Sequence, residues 1–172
     1  RSRKRGSLPQ DEALRYVGLV CEALSYARAG HVLHRDVRPE DVLLGADHTP
    51  RLMDFGVAQL EDRASITMDG DLVGTLAYMS PEQGEGKNVD SRSDVYSLAL
   101  TLYEGFTRKN PLKGRKLQEL LRDVSRPDIP PLTENRPDLP LELSDALERA
   151  MARDSYARPD AATFGRILGR AA

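Results

Sequence analysis

The run His34-Arg35-Asp36-Val37-Arg38-Pro39-Glu40-Asp41 is followed, 18 residues after Asp36, by Asp54-Phe55-Gly56. Asp36, Asp41 and Asp54 therefore lie in two polar segments on either side of a short apolar stretch. Brought together, three carboxylates could surround a divalent cation and a phosphate, because hard magnesium favours oxygen ligands. Aspartates also populate turns for conformational reasons of their own, so no one of them carries the argument. The combination does.

Positioning these groups requires a scaffold, and the sequence supplies one that is mostly helical. Ala13, Leu14, Val17, Val20, Cys21, Leu24 and Ala27 recur at three- and four-residue steps and predict a helix with one apolar face. Pro9 suits its first turn, Asp11 and Glu12 favour the positive end of its dipole, and Gly30 is a stop. Val42-Leu43-Leu44 and Arg51-Leu52-Met53, joined by a turn from Gly45 to Pro50, predict a small hairpin. From Asp54 to about Asn88 no period is sustained, which predicts a long functional loop. A helix capped by Ser91 or Ser93 then runs to about Phe106, apolar around most of its circumference and so central and buried. Helices are also expected at about 114–124, 141–153 and 160–169, with a proline-rich connector from Pro127 to Pro140.

Composition narrows the classes of function. With 172 residues and 40% hydrophobic content the chain can bury one sizeable core, so one domain, residues 1–172, is expected. A net charge of −2 excludes a strong general attraction to nucleic acid or an anionic membrane. Arg1, Arg3, Lys4 and Arg5 read as a solvated helix end or linker. The single cysteine, Cys21, falls on the apolar stripe and reads as a buried hydrophobe, which favours a cytoplasmic protein. His31, His34 and His48 lack partners at ligand spacing, which argues against zinc. No apolar run approaches the roughly 20 residues of a membrane span. The chain opens on Arg1, as a piece of a longer protein would.

His34 to Asp41 resembles the catalytic loop of protein kinases, Asp54-Phe55-Gly56 their metal-binding motif, and Ser80-Pro81-Glu82 the end of their activation segment, here about residues 54–82. Gly74 to Met79 is similar to the substrate-docking loop, Ser93 to Leu98 to the start of the central helix, and Arg158-Pro159 to the late arginine. From about Pro9 onward the chain thus resembles the C-terminal lobe of a bacterial-type (Hanks-type) serine/threonine protein kinase. This implies a mainly α fold with a minor β-hairpin, transfer of the ATP γ-phosphoryl group to protein serine or threonine, and ATP with Mg2+, or Mn2+, as cofactors. It also implies roles. Asp36 would orient the substrate hydroxyl and accept its proton, and Arg38 would sit beside the transferred phosphate. Thr75 would brace both, Asp54 and Asp41 would hold metal, and Leu43 would pack beneath the adenine. Glu82 and Arg158 would form a buried ion pair, and Asp94 would hold the catalytic-loop backbone. Arg35 resembles a receptor for an activation-loop phosphate, with Ser65 and Thr67 as candidate acceptors or ordinary loop hydroxyls.

The chain departs from the family pattern in places. Arg38 stands where lysine is usual, Asp41 where asparagine is usual, and Ser155 where proline is common. Only 33 residues precede His34, too few for the glycine-rich loop and phosphate-pairing lysine of the N-terminal lobe. Gly84-Glu85-Gly86-Lys87 follows the Ser80-Pro81-Glu82 motif and reads as a surface turn. The expected partners are a protein substrate and an N-terminal lobe or other protein over the nucleotide face. A homodimer or an exchange of the segment Gly56 to Tyr78 could otherwise cover that face, and so could the loop folding back on its own lobe. The rival reading is a pseudokinase or interaction module, in which Arg38 and Asp41 record lost catalysis.

Overall fold

A computed structural model describes residues 9–55 and 74–171 of the chain. Ser65, Thr67, Gly56 and the basic residues Arg1 to Arg5 lie outside the described residues. In chain order the elements are helix α1 (Gln10–Ala29), strands β1 (Val42–Leu44) and β2 (Pro50–Leu52), then helices α2 (Pro81–Gly84), α3 (Ser91–Thr107), α4 (Leu117–Ser125), α5 (Leu132–Asn135), α6 (Leu141–Ala150) and α7 (Ala161–Leu168). Short 3-10 turns cover Pro39–Asp41 and Ser155–Ala157. Among the described residues the chain is mainly α with one two-stranded antiparallel sheet, pairing Val42 with Leu52 and Leu44 with Pro50. Among the described residues no helix is long and apolar enough to cross a membrane.

Helix α3 is the axle of the fold. Val95, Tyr96, Leu98, Ala99, Leu100, Leu102, Tyr103 and Phe106 leave almost no exposed face on it, and α1, α5, α6 and α7 pack around it. Its cap is Asp90, whose carboxylate accepts from the Arg92 N–H at 2.8 Å, rather than Ser91 or Ser93. The Ser93 hydroxyl is turned inward instead, donating to Glu82. At the other end Arg108 takes a left-handed conformation, φ 57°, and closes the last turn onto the Glu104 carbonyl.

Three expectations from the sequence need correction. The segment 54–88 is not all loop, since α2 lies within it. Pro81 opens α2, and Gln83 reaches back to accept from the Ser80 N–H at 3.0 Å and hydroxyl at 2.8 Å. The proline-rich connector likewise carries α5, started after Pro131. The helix expected from residue 114 begins only at Leu117, because Gly114 has φ 78°. Gly84 is needed where α2 meets α4. A Cβ there would lie 2.6 Å from Val124 Cγ1.

Helix α1 follows its sequence signals, with Asp11 and Glu12 in the first turn and the Gly30 N–H closing onto the Ala27 carbonyl at 3.0 Å. Cys21 on its inner face is 1% exposed, and burial pushes its thiol up to about 12. With so little thiolate near neutrality, we expect its reaction with Ellman's reagent to run about a thousandfold slower than that of a free thiol until the chain is unfolded in urea. Fast modification of the folded protein would contradict the packing of α1.

Candidate active site

The loop from His34 to Asp41 is held from below by groups remote in sequence. The buried Asp94 carboxylate, in the first turn of α3, accepts from the His34 N–H at 3.0 Å and the Arg35 N–H at 2.7 Å. Burial pushes this carboxyl above the usual range, against the pull of the two N–H groups. Gln83 of α2 donates to the Arg35 carbonyl at 2.8 Å. The peptide groups on either side of the strained residue Arg35, φ 71°, are thus both pinned. His34 Nε2 lies 2.6 Å from the Met53 carbonyl, and its ring meets Phe55 edge-on at 4.9 Å. The catalytic-type loop and the Asp54-Phe55 segment are tied together by this one side chain.

Above that support the reactive-type side chains converge on Arg38. Its Nη1 donates to the Thr75 hydroxyl at 2.8 Å, its Nε donates to Asp41 Oδ2 at 3.3 Å, and the same nitrogen lies 3.7 Å from Asp36 Oδ2. The Asp36 side chain is 24% exposed, open enough to meet a substrate, whereas that of Asp41 is only 8% exposed. Burial raises the Asp41 carboxyl above the ordinary aspartate range. The nearby charge of Asp54 pushes the same way, while Arg38 and His34 pull it down. Asp54 is exposed and holds a left-handed backbone, φ 59°. Leu43 projects from β1 with 53% of its surface open.

The three carboxylates do not gather into one cluster. Among the described residues no group of three or more histidine, cysteine or acidic side chains is placed to hold a metal ion. Asp36 instead faces Arg38. The pair Asp41 and Asp54 remains a suitable donor set for magnesium, which takes one or two protein carboxylates and fills its shell with water and phosphate oxygens.

The docking-type segment 74–79 has anchors that the sequence did not reveal. Ser97 of α3 donates to the Tyr78 carbonyl at 2.8 Å, and Asn110 donates to the Ala77 carbonyl at 3.1 Å. The Tyr78 hydroxyl donates to Glu104, which also pairs with Lys113 at 2.7 Å. Beneath this segment Glu82 and Arg158 form the expected ion pair, bidentate at 2.7 and 2.8 Å.

A helical lobe wound on one buried axle, with a small hairpin and a pinned acidic loop on its rim, defines a protein-kinase C-terminal lobe. The chain belongs to the protein kinase domain family, which residues 1–165 match. Within it the chain is of the Hanks serine/threonine type. It is 33% identical over 150 residues to the serine/threonine-protein kinase PknB of Mycobacterium leprae, a match covering 87% of this chain and 24% of that protein. It is 33% identical over 151 residues to PknB of Mycolicibacterium smegmatis, covering 87% and 24%. Against PknE of Mycobacterium tuberculosis the identity is 34% over 152 residues, covering 88% and 27%. The chain therefore spans about a quarter of the length of these curated relatives.

Proposed function

We propose that this chain supplies the catalytic lobe of an enzyme that transfers the γ-phosphoryl group of ATP to serine or threonine hydroxyls of proteins. The observation that carries the reading is the convergence of Arg38 on Asp36, Asp41 and Thr75 above a loop pinned by Asp94. Asp36 accepts the proton of the substrate hydroxyl as that oxygen bonds to the γ-phosphorus. The bond from phosphorus to the β–γ bridging oxygen breaks, and ADP leaves. Arg38, braced by Thr75, offers positive charge to the phosphoryl oxygens. Asp54 would hold magnesium, with Asp41 as a second carboxylate once released from Arg38, and the bound ion would neutralise phosphate charge. Leu43, half exposed on β1, offers apolar surface to the adenine. That surface also needs cover from an N-terminal lobe or a second protein chain. ATP as donor and a lone buried thiol both fit a cytoplasmic site of action.

Phosphoryl transfer is catalysed by positioning and charge on both sides of the nucleotide. This chain alone should consequently transfer almost nothing, while a chain carrying both lobes should label a generic protein substrate from ATP. Asp36→Asn should reduce that transfer by about 10²–10⁴-fold. Transfer that survives Asp36→Asn at full rate would remove Asp36 from the reaction. Absence of transfer from the two-lobed protein would favour a non-catalytic binding lobe.

A further inference from the structure

Arg38 and Asp41 each depart from the residue usual at that position, yet their side chains meet. The Asp41 carboxylate is almost closed to water and lies in the field of Asp54, so it needs a cation close by. Among the charged groups that face it, His34 is in contact with the Met53 carbonyl and Asp54 has the same sign as Asp41. The guanidinium is hydrogen-bonded to it at 3.3 Å. A lysine ammonium is a single point charge. The planar fork of arginine can reach Asp41 with Nε while Nη1 holds Thr75, as it does here at 2.8 Å.

We infer that Arg38 is the built-in cation of Asp41, and that it competes with divalent metal there, leaving Asp54 as the primary metal ligand of this chain. The two departures are then one matched exchange. The added carboxylate and the longer, forked cation neutralise each other, and Asp41 joins a metal only when Arg38 swings away. This rests on the phosphoryl-transfer reading only for the presence of metal.

The test is a Mn2+ titration of this chain, reading free Mn2+ by electron paramagnetic resonance, with no turnover involved. Arg38→Met frees Asp41, and its Mn2+ affinity should rise about tenfold over the parent. The gain should vanish in the double variant Arg38→Met/Asp41→Asn, and Arg38→Lys should fall between parent and Arg38→Met. Asp54→Ala should abolish most binding in the parent. Equal affinity in parent and Arg38→Met, a gain that persists in the double variant, or no Mn2+ bound by any form would each overturn the inference. Circular dichroism of each variant guards against misfolding, and Arg38→Lys, which keeps the charge, remains decisive should Arg38→Met fail to fold. Failure of the two-lobed protein to phosphorylate would count against the enzyme reading and leave this competition standing.

Discussion

Arg158→Met should destabilise the chain by about 3–5 kcal/mol, because it strands a buried carboxylate. The Arg158 side chain is fully enclosed and that of Glu82 is 9% exposed, so solvent screens little of their interaction. Arg158 spends five donors on five acceptors: two on Glu82 and one each on the carbonyls of Ala152, Arg153 and Arg92. The Tyr96 ring lies 4.9 Å from the guanidinium carbon. Methionine fills part of the space and satisfies none of these groups. In a chain of this size the loss corresponds to a fall in Tm of about 6–20 °C, measurable by calorimetry or as a shift of the urea midpoint. A shift under about 1 kcal/mol would mean that water reaches Glu82 and replaces the arginine.

The same pair sets an acid limit. Burial favours the neutral Glu82 carboxyl, but hydrogen bonds from Arg158 and Ser93 prevail and hold it below the usual glutamate range. A carboxyl lowered in the folded state contributes stability that is present above its unfolded pKa and lost as pH falls through its folded pKa. The parent should therefore lose this contribution below about pH 4.5. Glu82→Gln, already weaker at neutral pH, should lack that part of the acid slope.

Asp94→Ala should be as damaging by a different route. It leaves the His34 and Arg35 N–H groups without their acceptors, and one buried and one partly buried orphaned donor cost about 2–4 kcal/mol. The loss falls on the peptide that orients Asp36, so a two-lobed protein should also lose about 10²-fold in transfer even well below its melting temperature. Hydrogen exchange reads the local effect. The His34 and Arg35 amides should lose protection, while amides in the middle of α3 keep theirs. Uniform loss along α3 would instead mean that Asp94 supports the helix rather than the loop. Asp94→Asn, which retains one acceptor oxygen, should restore part of the protection.

The candidate site was legible in the sequence because protein-kinase motifs restrict both residue type and spacing, and His34 to Asp41, Asp54-Phe55 and Ser80-Pro81-Glu82 match both. Helix α3 was legible for a related reason, since apolar residues all round a helix leave it nowhere to go but the middle. Four-residue helices such as α2 and α5 complete barely one turn and show no period, so prolines hid them as loop. The cap of α3 was misplaced because a serine near a helix start can serve the backbone or a buried partner, and Ser93 serves Glu82. Gln83 was overlooked although it stands three residues after Ser80, the spacing of a reciprocal cap. Arg38 and Asp41 were each noticed as departures. That they form a pair depended on which way the guanidinium turned, and residue types do not record that.

Arg35 at φ 71° and Asp54 at φ 59° both occupy the backbone region where glycine is at ease and other side chains are strained. On the phosphoryl-transfer reading, Asp54 stays an aspartate there because its carboxylate is the one proposed to hold metal. A library of variants sorted only for heat resistance would accordingly enrich glycine at position 35 and favour it at position 54, discarding at the latter the carboxylate proposed to hold metal. For this lobe, ranking variants by robustness would steer away from competence, and an evolutionary or engineering screen must select for both at once.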